Sequence, residues 1–377
     1  MCTGHKSIIA RLLQRTNGWY MLCKINAMRI NHSWSKPFSL PRPGLHRMAW
    51  RDFGPPHAPA WLVVHGGPGG ACQPGMLAPF DLQRDRVIAP DQRGAGSSRP
   101  RGVLARNDTA ALVADLEALR AHLGIERWSI LAGSWGSVVA LAYAARHPHR
   151  VQRLVLRGSF RLTRREIAGL LQPSTQKGKR LGGADAGWPL GRSLPLPVAL
   201  GRAARLLQKR ASGATALALM RGWQLRELRD AATGVRRSLG RQPAVLAAQQ
   251  RRDWRALRRQ MRHLEANLPQ PCWSPQDEQR WSRYRIQAHY LVHRGFIGPQ
   301  GLDAAVRAVL THRIPIDWVH GRLDAICPPA NSRRWMAAAH GAPWVRLHQP
   351  VAGHLSGERA MQVCLRECVA QDRSISR

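Results

Sequence analysis

The chain has 377 residues and a formal net charge of +36, from 58 Lys and Arg against 22 Asp and Glu, and 44% of its residues are hydrophobic. That hydrophobic fraction can fill a large core, which excludes wholesale disorder. No apolar run approaches the ~20 residues of a membrane-spanning helix, so an integral membrane protein is excluded. The seven cysteines are scattered without a C-x-x-C pair. This argues against a disulfide scaffold or a zinc ribbon and predicts a reducing, cytoplasmic location.

The basic residues show a strong bias toward arginine, because only six of the 58 are lysine. Arginine binds phosphate and carboxylate groups well, so the charge could serve an anionic partner. The basic residues are, however, spread over the whole chain and form no single stripe or tail. The charge could equally be a compositional feature, and the sequence does not distinguish the two; we do not expect nucleic-acid binding to be the main function.

The first 51 residues contain no Asp or Glu and carry basic residues throughout. They lack the apolar run of about 7–15 residues followed by small residues that a secretory signal requires. We expect residues 1–44 to form a basic, poorly ordered extension rather than an organelle leader.

From residue 61 onward, strand patterns and helix patterns alternate. Short apolar runs predict buried strands, and leucine or alanine at helical spacing predicts helices. The alternation favours an α/β fold with a mostly parallel sheet and helices on both faces. The predicted strands are 61–65, 86–90, 128–132 and 151–157, and the predicted helices are 109–123 and 137–146.

Between residues 161 and 300 the strand pattern disappears, and stretches rich in Arg, Leu, Ala and Gln predict helices. This segment holds 27 Lys and Arg against 8 Asp and Glu, a net charge of +19. Strand patterns return at 314–320 and 344–347. We therefore predict one α/β domain in two parts, 45–160 and 301–377, with residues 161–300 inserted as a helical cap.

A cluster of small residues lies directly between a predicted strand and an alanine-rich helix, with the sequence Ala132-Gly-Ser134-Trp-Gly136. A sharp strand-to-helix turn of this kind lifts a serine hydroxyl clear of the sheet, and small neighbours let its strained backbone pack closely. The usual pattern is G-x-S-x-G, and here Ala132 replaces the first glycine. The context predicts that Ser134 is a nucleophile.

A serine nucleophile needs a histidine as general base, and the histidine needs a carboxylate that fixes its tautomer. With this type of turn, the chain order is Ser, then Asp or Glu, then His. Asp324 follows the predicted strand 314–320, and His354 follows the predicted strand 344–347. Either residue alone could be an ordinary loop residue, but their order and position predict a catalytic triad of Ser134, Asp324 and His354.

A glycine-rich loop follows the first buried strand, with the sequence His65-Gly-Gly-Pro-Gly-Gly70. Its backbone can direct an N–H group at the negative charge that develops in the transition state. We predict that the backbone amides of Gly67 and Trp135 form an oxyanion hole. A phosphate-binding loop is excluded, because no Gly-Lys-Ser/Thr follows and the spacing is not G-x-G-x-x-G.

Five motifs of the chain form a recognisable set: His65-Gly-Gly-Pro-Gly-Gly70, Asp91-Gln-Arg-Gly-Ala-Gly-Ser97, Gly133-Ser-Trp-Gly-Ser137, His320-Gly-Arg-Leu-Asp324 and Gly353-His354. Taken together they are similar to those of the proline iminopeptidase family of the α/β-hydrolase superfamily. The resemblance spans roughly residues 45–370 and implies an α/β-hydrolase fold with a helical cap. It also implies hydrolysis of an N-terminal proline from a peptide, through an acyl-enzyme on Ser134 and without a metal.

Members of this family hold the free amino group of the substrate with acidic cap residues, and this chain keeps only part of that pattern. One stretch, Trp223-Gln-Leu-Arg226-Glu227, resembles W-x-x-W-E but has arginine in place of the second tryptophan. Another, Arg285-Ile-Gln-Ala-His-Tyr290, resembles R-I-E-N-H-Y but has the amide of Gln287 in place of the carboxylate.

The resemblance implies substrate contacts for four residues: Gly66, Trp223, Glu227 and Gln287. The alternative for Glu227 is that it simply pairs with Arg226 or a neighbouring arginine on a solvated helix face. A strongly basic cap also repels a positively charged amine, most of all at low salt.

Two pairs of potential metal ligands are spaced four residues apart. His289 and His293 lie on a predicted helix, but Tyr290 stands where H-E-x-x-H has its glutamate, and no third ligand is evident. Cys364 and Cys368 lie on the predicted last helix and are interpreted as packing residues. We expect no metal and no cofactor.

The sequence therefore predicts a cytoplasmic serine hydrolase, an aminopeptidase of the proline iminopeptidase type, with a small peptide or acyl compound as substrate. One alternative is an esterase or amidase of the same fold that acts on a neutral or anionic acyl substrate, which Arg226 and Gln287 favour. A second alternative is a basic nucleic-acid-binding protein on a retained hydrolase scaffold. We expect no membrane partner, and the oligomeric state does not follow from the sequence.

Overall fold

The computed structural model describes residues 34, 36–171, 188–190, 194–208, 213–298 and 300–371. Most of the predicted extension 1–44 lies outside the described residues. Its last part contains the first strand, β1 (Phe38–Arg42), which pairs with β2 (His46–Phe53). The sheet thus begins before residue 45. The sequence pattern missed β1 because it is an edge strand with mostly exposed side chains and a proline.

Eight strands of the described chain form a single sheet with the order β1-β2-β4-β3-β5-β6-β7-β8. The pairs β1–β2 and β2–β4 are antiparallel, and the strands from β4 to β8 pair in parallel. The architecture confirms the prediction of a mostly parallel sheet. The remaining strands are β3 (Ala60–Val64), β4 (Arg86–Pro90), β5 (Trp128–Gly133), β6 (Val151–Arg157), β7 (Ile316–Val319) and β8 (Val345–His348).

Ten α-helices lie within the described residues, and five of them, α3 to α7, fall in the segment predicted as the cap. They are α1 (Thr109–His122), α2 (Trp135–Arg146), α3 (Arg164–Leu171), α4 (Leu196–Leu206), α5 (Gly213–Leu239), α6 (Ala244–Asn267), α7 (Pro275–Val292), α8 (Gly301–Thr311), α9 (Ala330–Ala337) and α10 (Arg359–Ala370). Short 3₁₀ helices occur at Pro74–Leu77, Pro148–Arg150 and Arg294–Phe296. No helix of the described chain is long and apolar enough to cross a bilayer.

Side chains of the central strands alternate between two hydrophobic clusters on opposite faces of the sheet. In β3, Leu62 and Val64 belong to the cluster that includes α1, α2 and α8. The intervening Trp61 and Val63 belong to the cluster that includes α10. This follows from the two-residue period of a strand, and it explains why these strands are continuous apolar runs.

The register of the parallel strands brings their carboxyl ends to the same level. Val64 at the end of β3 lies opposite Ala132 of β5. Arg157 at the end of β6 lies opposite both Gly133 of β5 and Val319 of β7. The loops that follow these strands therefore open on one edge of the sheet.

The helices of the cap are tied together by apolar packing and by a buried ion pair. Helices α5 and α6 enclose a cluster that includes Leu228 and Leu257. Arg221 of α5 pairs with Asp277 of α7 at 2.7 Å, and both side chains are almost fully buried. Burial opposes ionisation of Asp277, but Arg221 and Ser274 hold its pKa well below its usual range. A charged pair is therefore retained inside the cap, where losing one partner would be costly.

Candidate active site

The strand-to-helix turn after β5 holds Ser134 in a strained backbone conformation, with φ 56° and ψ −124°. A non-glycine residue in such a conformation costs about 1–3 kcal/mol, so the surroundings must enforce it. The Ser134 amide donates to the Arg157 carbonyl at 2.9 Å. A Cβ atom at Gly136 would lie only 2.3 Å from the Val64 carbonyl oxygen, so glycine is needed where α2 begins against β3.

His354 and Asp324 form a buried pair beyond the ends of β7 and β8. The distance between His354 Nδ1 and Asp324 Oδ2 is 2.7 Å, and the side chains are 4% and 0% exposed. A carboxylate only accepts hydrogen bonds, so Nδ1 carries the proton and Nε2 is the basic nitrogen of the ring.

The Asp324 carboxylate is fixed from several sides. Its Oδ1 accepts from the backbone amides of Ile326 and Cys327, both at 2.9 Å. Its Oδ2 also lies 3.4 Å from His320 Nε2. Burial opposes ionisation, but His354 and His320 hold the pKa of Asp324 well below its usual range. The pair therefore keeps a negative charge behind the imidazole of His354.

One cavity of about 280 Å³ opens on both Ser134 and His354. Asp324 is not among its lining residues and lies behind His354. The sheet edge thus brings together the three side chains of the predicted triad, in the chain order Ser, Asp, His. Their catalytic roles remain predictions.

The glycine-rich loop after β3 passes directly over the turn that carries Ser134. A Cβ atom at Gly66 would lie 2.7 Å from the Gly133 carbonyl oxygen, so a larger residue would push the loop away. Gly66, Gly67 and Trp135 all line the cavity. Gly67 has φ +49°, a conformation that favours glycine.

A hydrogen-bonded chain joins this loop to the residue after Ser134. The Gln92 side chain donates to the His65 carbonyl at 2.8 Å, and Trp135 Nε1 donates to Gln92 Oε1 at 3.2 Å. The backbone amide of Gln92 also donates to His65 Nε2 at 3.0 Å. Burial lowers the pKa of His65, which keeps that nitrogen available as an acceptor. This hydrogen-bonded network therefore links the two segments that carry the predicted oxyanion donors: Trp135 is part of it, and Gly67 lies two residues after His65.

The loop that carries His354 is held by Glu358, a buried residue that sequence reasoning missed. Glu358 accepts from the backbone amides of Gly353 at 2.8 and 2.9 Å and of Leu355 at 3.2 Å. It also accepts from Ser238 of α5 and Gln250 of α6. Burial raises the pKa of Glu358 to about 7. Glu358 thus joins the cap to the loop on both sides of His354.

Arg157 forms a second link that the sequence did not reveal. Its backbone carbonyl accepts from the Ser134 amide, and its guanidinium donates to the His354 carbonyl. It also lines the cavity. The position of Arg157 at the end of β6 could have pointed to the site, because the carboxyl ends of parallel strands meet at one edge of the sheet.

In the cap, Glu227 lies at the centre of a buried cluster. Its Oε2 accepts from Arg283 at 2.7 Å and from Tyr284 at 3.0 Å, and its Oε1 accepts from the Gln287 amide at 2.7 Å. Glu227 and Gln287 are 5% and 2% exposed and line the cavity together with Arg283. Glu227 is therefore paired with an arginine, as the alternative held, but inside the cap and not on a solvated face.

The other two cap residues singled out in the sequence lie further back. Trp223 is fully buried, is not among the residues lining the cavity, and stacks on Tyr284 with ring centroids 5.1 Å apart. The guanidinium of Arg226 lies over the ring of Trp188 at 5.3 Å. Trp223 therefore contacts the Glu227 cluster through Tyr284, and its predicted contact with substrate remains a prediction.

A model of the α/β hydrolase fold family matches residues 59–354, which is most of the chain. The chain therefore belongs to the α/β-hydrolase family. Among its relatives, the proline iminopeptidase of Xylella fastidiosa (strain Temecula1) is 46% identical over 132 residues, which cover 35% of this chain and 42% of the relative. The proline iminopeptidase of Arabidopsis thaliana is 31% identical over 284 residues, which cover 75% of this chain and 66% of the relative.

These relatives confirm the predicted resemblance to proline iminopeptidases. The chain spans less than half the length of the Xylella relative and about two thirds of the Arabidopsis one.

Solved structures show the same fold at low sequence identity. The α/β hydrolase MGS-M2 from a deep-sea metagenome library has a TM-score of 0.56 at 13% identity, over 88% of this chain and 96% of that chain. An esterase from Thermogutta terrifontis has a TM-score of 0.52 at 20% identity, over 89% of this chain and 99% of that chain. At these identities the likeness concerns the fold alone.

Proposed function

We propose that this chain is a serine hydrolase of the proline iminopeptidase type, which releases an N-terminal proline from small peptides through an acyl-enzyme on Ser134. The observation that carries the proposal is the buried His354–Asp324 pair, whose imidazole shares one cavity with the strained Ser134. The relatives that carry the name proline iminopeptidase support the substrate class.

In the acylation step, His354 Nε2 takes the proton of Ser134 Oγ while that oxygen attacks the carbonyl carbon of the proline residue. The carbon–nitrogen bond then breaks, and His354 gives the same proton to the leaving amine. In deacylation, His354 takes a proton from water, and the hydroxide attacks the ester carbon. Proline leaves, and the proton returns to Ser134.

Asp324 orients the imidazole of His354 and stabilises its positive charge in both steps. The backbone amides of Gly67 and Trp135 would bind the oxyanion of each tetrahedral intermediate. The loss of one such donor typically costs about 2.7–4 kcal/mol of transition-state stabilisation. The close approach of Gly66 to the Ser134 turn supports this placement, because it brings the loop next to the nucleophile.

The cap cluster supports recognition of the substrate's amino group. A carboxylate has about four lone-pair positions, and Arg283, Tyr284 and Gln287 use three of those on Glu227. Gln287 must turn its amide nitrogen toward the carboxylate, so its Oε1 faces elsewhere. That oxygen is buried and has no hydrogen-bond partner among the described residues. Because Glu227 and Gln287 both line the cavity, we assign Glu227 Oε1 and Gln287 Oε1 as the two acceptors of the amino group.

Two acceptors match the chemistry of an N-terminal proline. Its protonated ring nitrogen carries two N–H groups, whereas the ammonium of any other N-terminal residue carries three. A third N–H would stay unpaired in a buried site, which typically costs about 1–3 kcal/mol. The apolar side chains of Phe160, Leu291 and Ile326 line the same cavity and can contact the ring. Gln287 therefore takes the place of the missing carboxylate as an acceptor.

The remaining parts of the proposal concern the partner and the location. The substrate is a small peptide. The chain acts in the cytoplasm, which its free thiols at Cys72, Cys272 and Cys327 support, because thiols persist in a reducing compartment.

The test uses wild type and Ser134→Ala with a serine-directed fluorophosphonate and three substrates: a proline arylamide, its N-acetyl derivative and a short acyl ester. We expect Ser134→Ala to lose labelling and turnover, and Ser356→Ala, altered in the same cavity, to keep both. Labelling that persists in Ser134→Ala would place the nucleophile elsewhere.

The substrates test the amino-group site separately. We expect kcat/KM for the free proline arylamide to exceed that of the N-acetyl derivative by about 10²-fold, since charge-assisted hydrogen bonds are worth roughly 1.5–3 kcal/mol. If kcat/KM is higher for the acyl ester than for the arylamides, and equal for the two arylamides, the result would favour the esterase alternative.

A further inference from the structure

Away from the cavity, three potential metal-ligating side chains converge between the last strand and the last helix. His348 lies at the end of β8, and Cys364 and Cys368 lie on α10. One ligand atom from each residue lies within 4.8 Å of the other two. The cysteines are four residues apart and therefore share one face of the helix. We propose that His348, Cys364 and Cys368 form a structural site for a thiophilic divalent cation, with Zn²⁺ as the ion it fits best.

The surroundings of His348 are those of a metal-binding histidine. Its Nε2 lies 2.8 Å from Oδ1 of Asp317, a fully buried carboxylate. Asp317 is itself held by Arg346 at 2.8 Å and by Arg153. A carboxylate on one ring nitrogen fixes the tautomer and leaves the other nitrogen, Nδ1, to bind a metal. The Cys368 thiol contacts the same ring.

The donor set determines the class of ion. Two sulfur atoms and an imidazole suit Zn²⁺, whereas Ca²⁺ and Mg²⁺ require oxygen ligands. Binding requires two thiolates and a neutral imidazole, and the displaced protons of the two thiols and of the His348 ring go to solvent, so the ion and its ligands carry no net charge. This neutrality suits a site where Cys368 is fully buried.

The site is reachable from solvent and can accept a fourth ligand. Cys364 is partly buried, and the side chain of His348 is 27% exposed. An ion can enter from that side, and a water molecule can complete a tetrahedron. With Zn–S bonds of about 2.3 Å and a Zn–N bond of about 2.0 Å, the donors, which lie within 4.8 Å of one another, need to move closer by at most roughly one ångström.

The ion would tie α10 to the strand that leads into the catalytic loop. His348 precedes that loop, and α10 packs on the sheet through the cluster that contains Met361 and Leu365. The site is structural, and none of its ligands lines the cavity. It therefore does not depend on the proposed hydrolase activity.

The experiment adds Co²⁺ or Zn²⁺ to the full chain, purified without metal and kept reduced by a phosphine. We expect one equivalent of Zn²⁺ per chain by elemental analysis, and a near-ultraviolet thiolate-to-Co²⁺ charge-transfer band. Cys364→Ser and Cys368→Ser should lose the band, and His348→Gln should weaken Zn²⁺ binding at least tenfold. Cys272→Ser, altered at an exposed cysteine, should behave as wild type.

Circular dichroism shows whether each variant is folded, so a loss of Zn²⁺ binding by a folded variant can be assigned to the side chain that was replaced. Zn²⁺ should also raise the melting temperature of wild type in a concentration-dependent manner, with no such rise for Cys364→Ser or on addition of Mg²⁺. The proposal is overturned if wild type gives no charge-transfer band, or if the folded cysteine variants bind as tightly as wild type. None of these three readouts uses hydrolysis.

Discussion

The molecule holds its two groups of candidate functional side chains by different means. At the proposed catalytic edge, which consists of Ser134, Asp324 and His354, backbone groups contribute directly to the positioning. A strained turn fixes Ser134, and the backbone amides of Ile326 and Cys327 hold the Asp324 carboxylate. In the cap cluster, which consists of Glu227, Arg283, Tyr284 and Gln287, side chains hold one another.

The difference separates chemistry from specificity. Backbone amides are present whatever side chains a loop carries, so the contacts that they make at the catalytic edge persist as long as the sheet and its turns form. Side-chain contacts change with a single substitution, and the charged contact between Glu227 and Arg283 at 2.7 Å also depends on its electrostatic surroundings. The cap cluster is therefore where a change of substrate is easiest to obtain.

The largest effect should come from the catalytic edge. We expect Asp324→Asn to lower kcat about 10⁴-fold, because an amide can present its N–H to His354 and stabilise the wrong tautomer. The melting temperature and the circular dichroism spectrum of the variant separate a loss of function from a loss of fold. Asp81→Asn, altered at a partly exposed aspartate, should keep full activity. A kcat within tenfold of wild type would remove Asp324 from the triad.

Glu358 connects the two regions, and its titration should be visible in the free energy of unfolding. Burial raises its pKa to about 7 from a usual 4.5, so folding favours the protonated form. This contribution is fully present below pH 4.5 and is lost as the pH rises through about 7. Over that range the loss amounts to roughly 3 kcal/mol, from 1.36 kcal/mol per pKa unit.

Chemical denaturation of wild type and Glu358→Gln between pH 4.5 and 8 gives the free energy of unfolding at each pH. The contribution of Glu358 is the difference between the two proteins in how this free energy changes with pH. Asp230, whose pKa burial also raises to about 7, contributes equally to both proteins and cancels. Glu265→Gln, altered at a partly exposed glutamate of α6, should keep the wild-type slope. Parallel curves for wild type and Glu358→Gln would show that Glu358 stays charged in the fold.

A smaller effect is expected at the centre of the cap cluster. Glu227→Gln should lower kcat/KM for a proline arylamide by roughly 10–150-fold, because a charge-assisted hydrogen bond to the ammonium becomes neutral. The same variant should leave the hydrolysis of an acyl ester without an amino group nearly unchanged. An equal loss for both substrates would mean that Glu227 acts only on the structure of the cap.

The smallest effect should come from Arg283, and it should be a gain. Arg283→Met removes a positive charge beside the amino-group site and frees a lone pair on Glu227. We expect a severalfold lower KM for the proline arylamide, because the substrate amine no longer meets the positive charge of Arg283, which lies 2.7 Å from Glu227. Arg252→Met, altered at an exposed arginine of α6, should change KM little. An unchanged or higher KM would show that Arg283 supports substrate binding.

Much of the catalytic edge could be predicted because its signals are local. The turn at Ser134 can be recognised in the sequence because small residues lie between an apolar strand and a helix. Asp324 and His354 each follow a strand, and the carboxyl ends of parallel strands meet at one edge. Strand β1 was missed because an edge strand with exposed side chains lacks the buried pattern. Glu358 was missed because its role depends on the burial of its carboxylate under the cap.

By itself, the sequence determined the α/β fold, and it predicted the helical insertion, the turn at Ser134 and the chain order of the proposed catalytic residues. Each of these rests on local patterns along the chain, such as apolar runs, helical spacing and small residues at a turn. Only the tertiary structure decided that Glu227 meets Arg283, 56 positions away, and that His348 meets Cys364 and Cys368. The physical reason is that such contacts depend on the packing of whole helices against the sheet, which fixes distances that the spacing of residues along the chain does not contain.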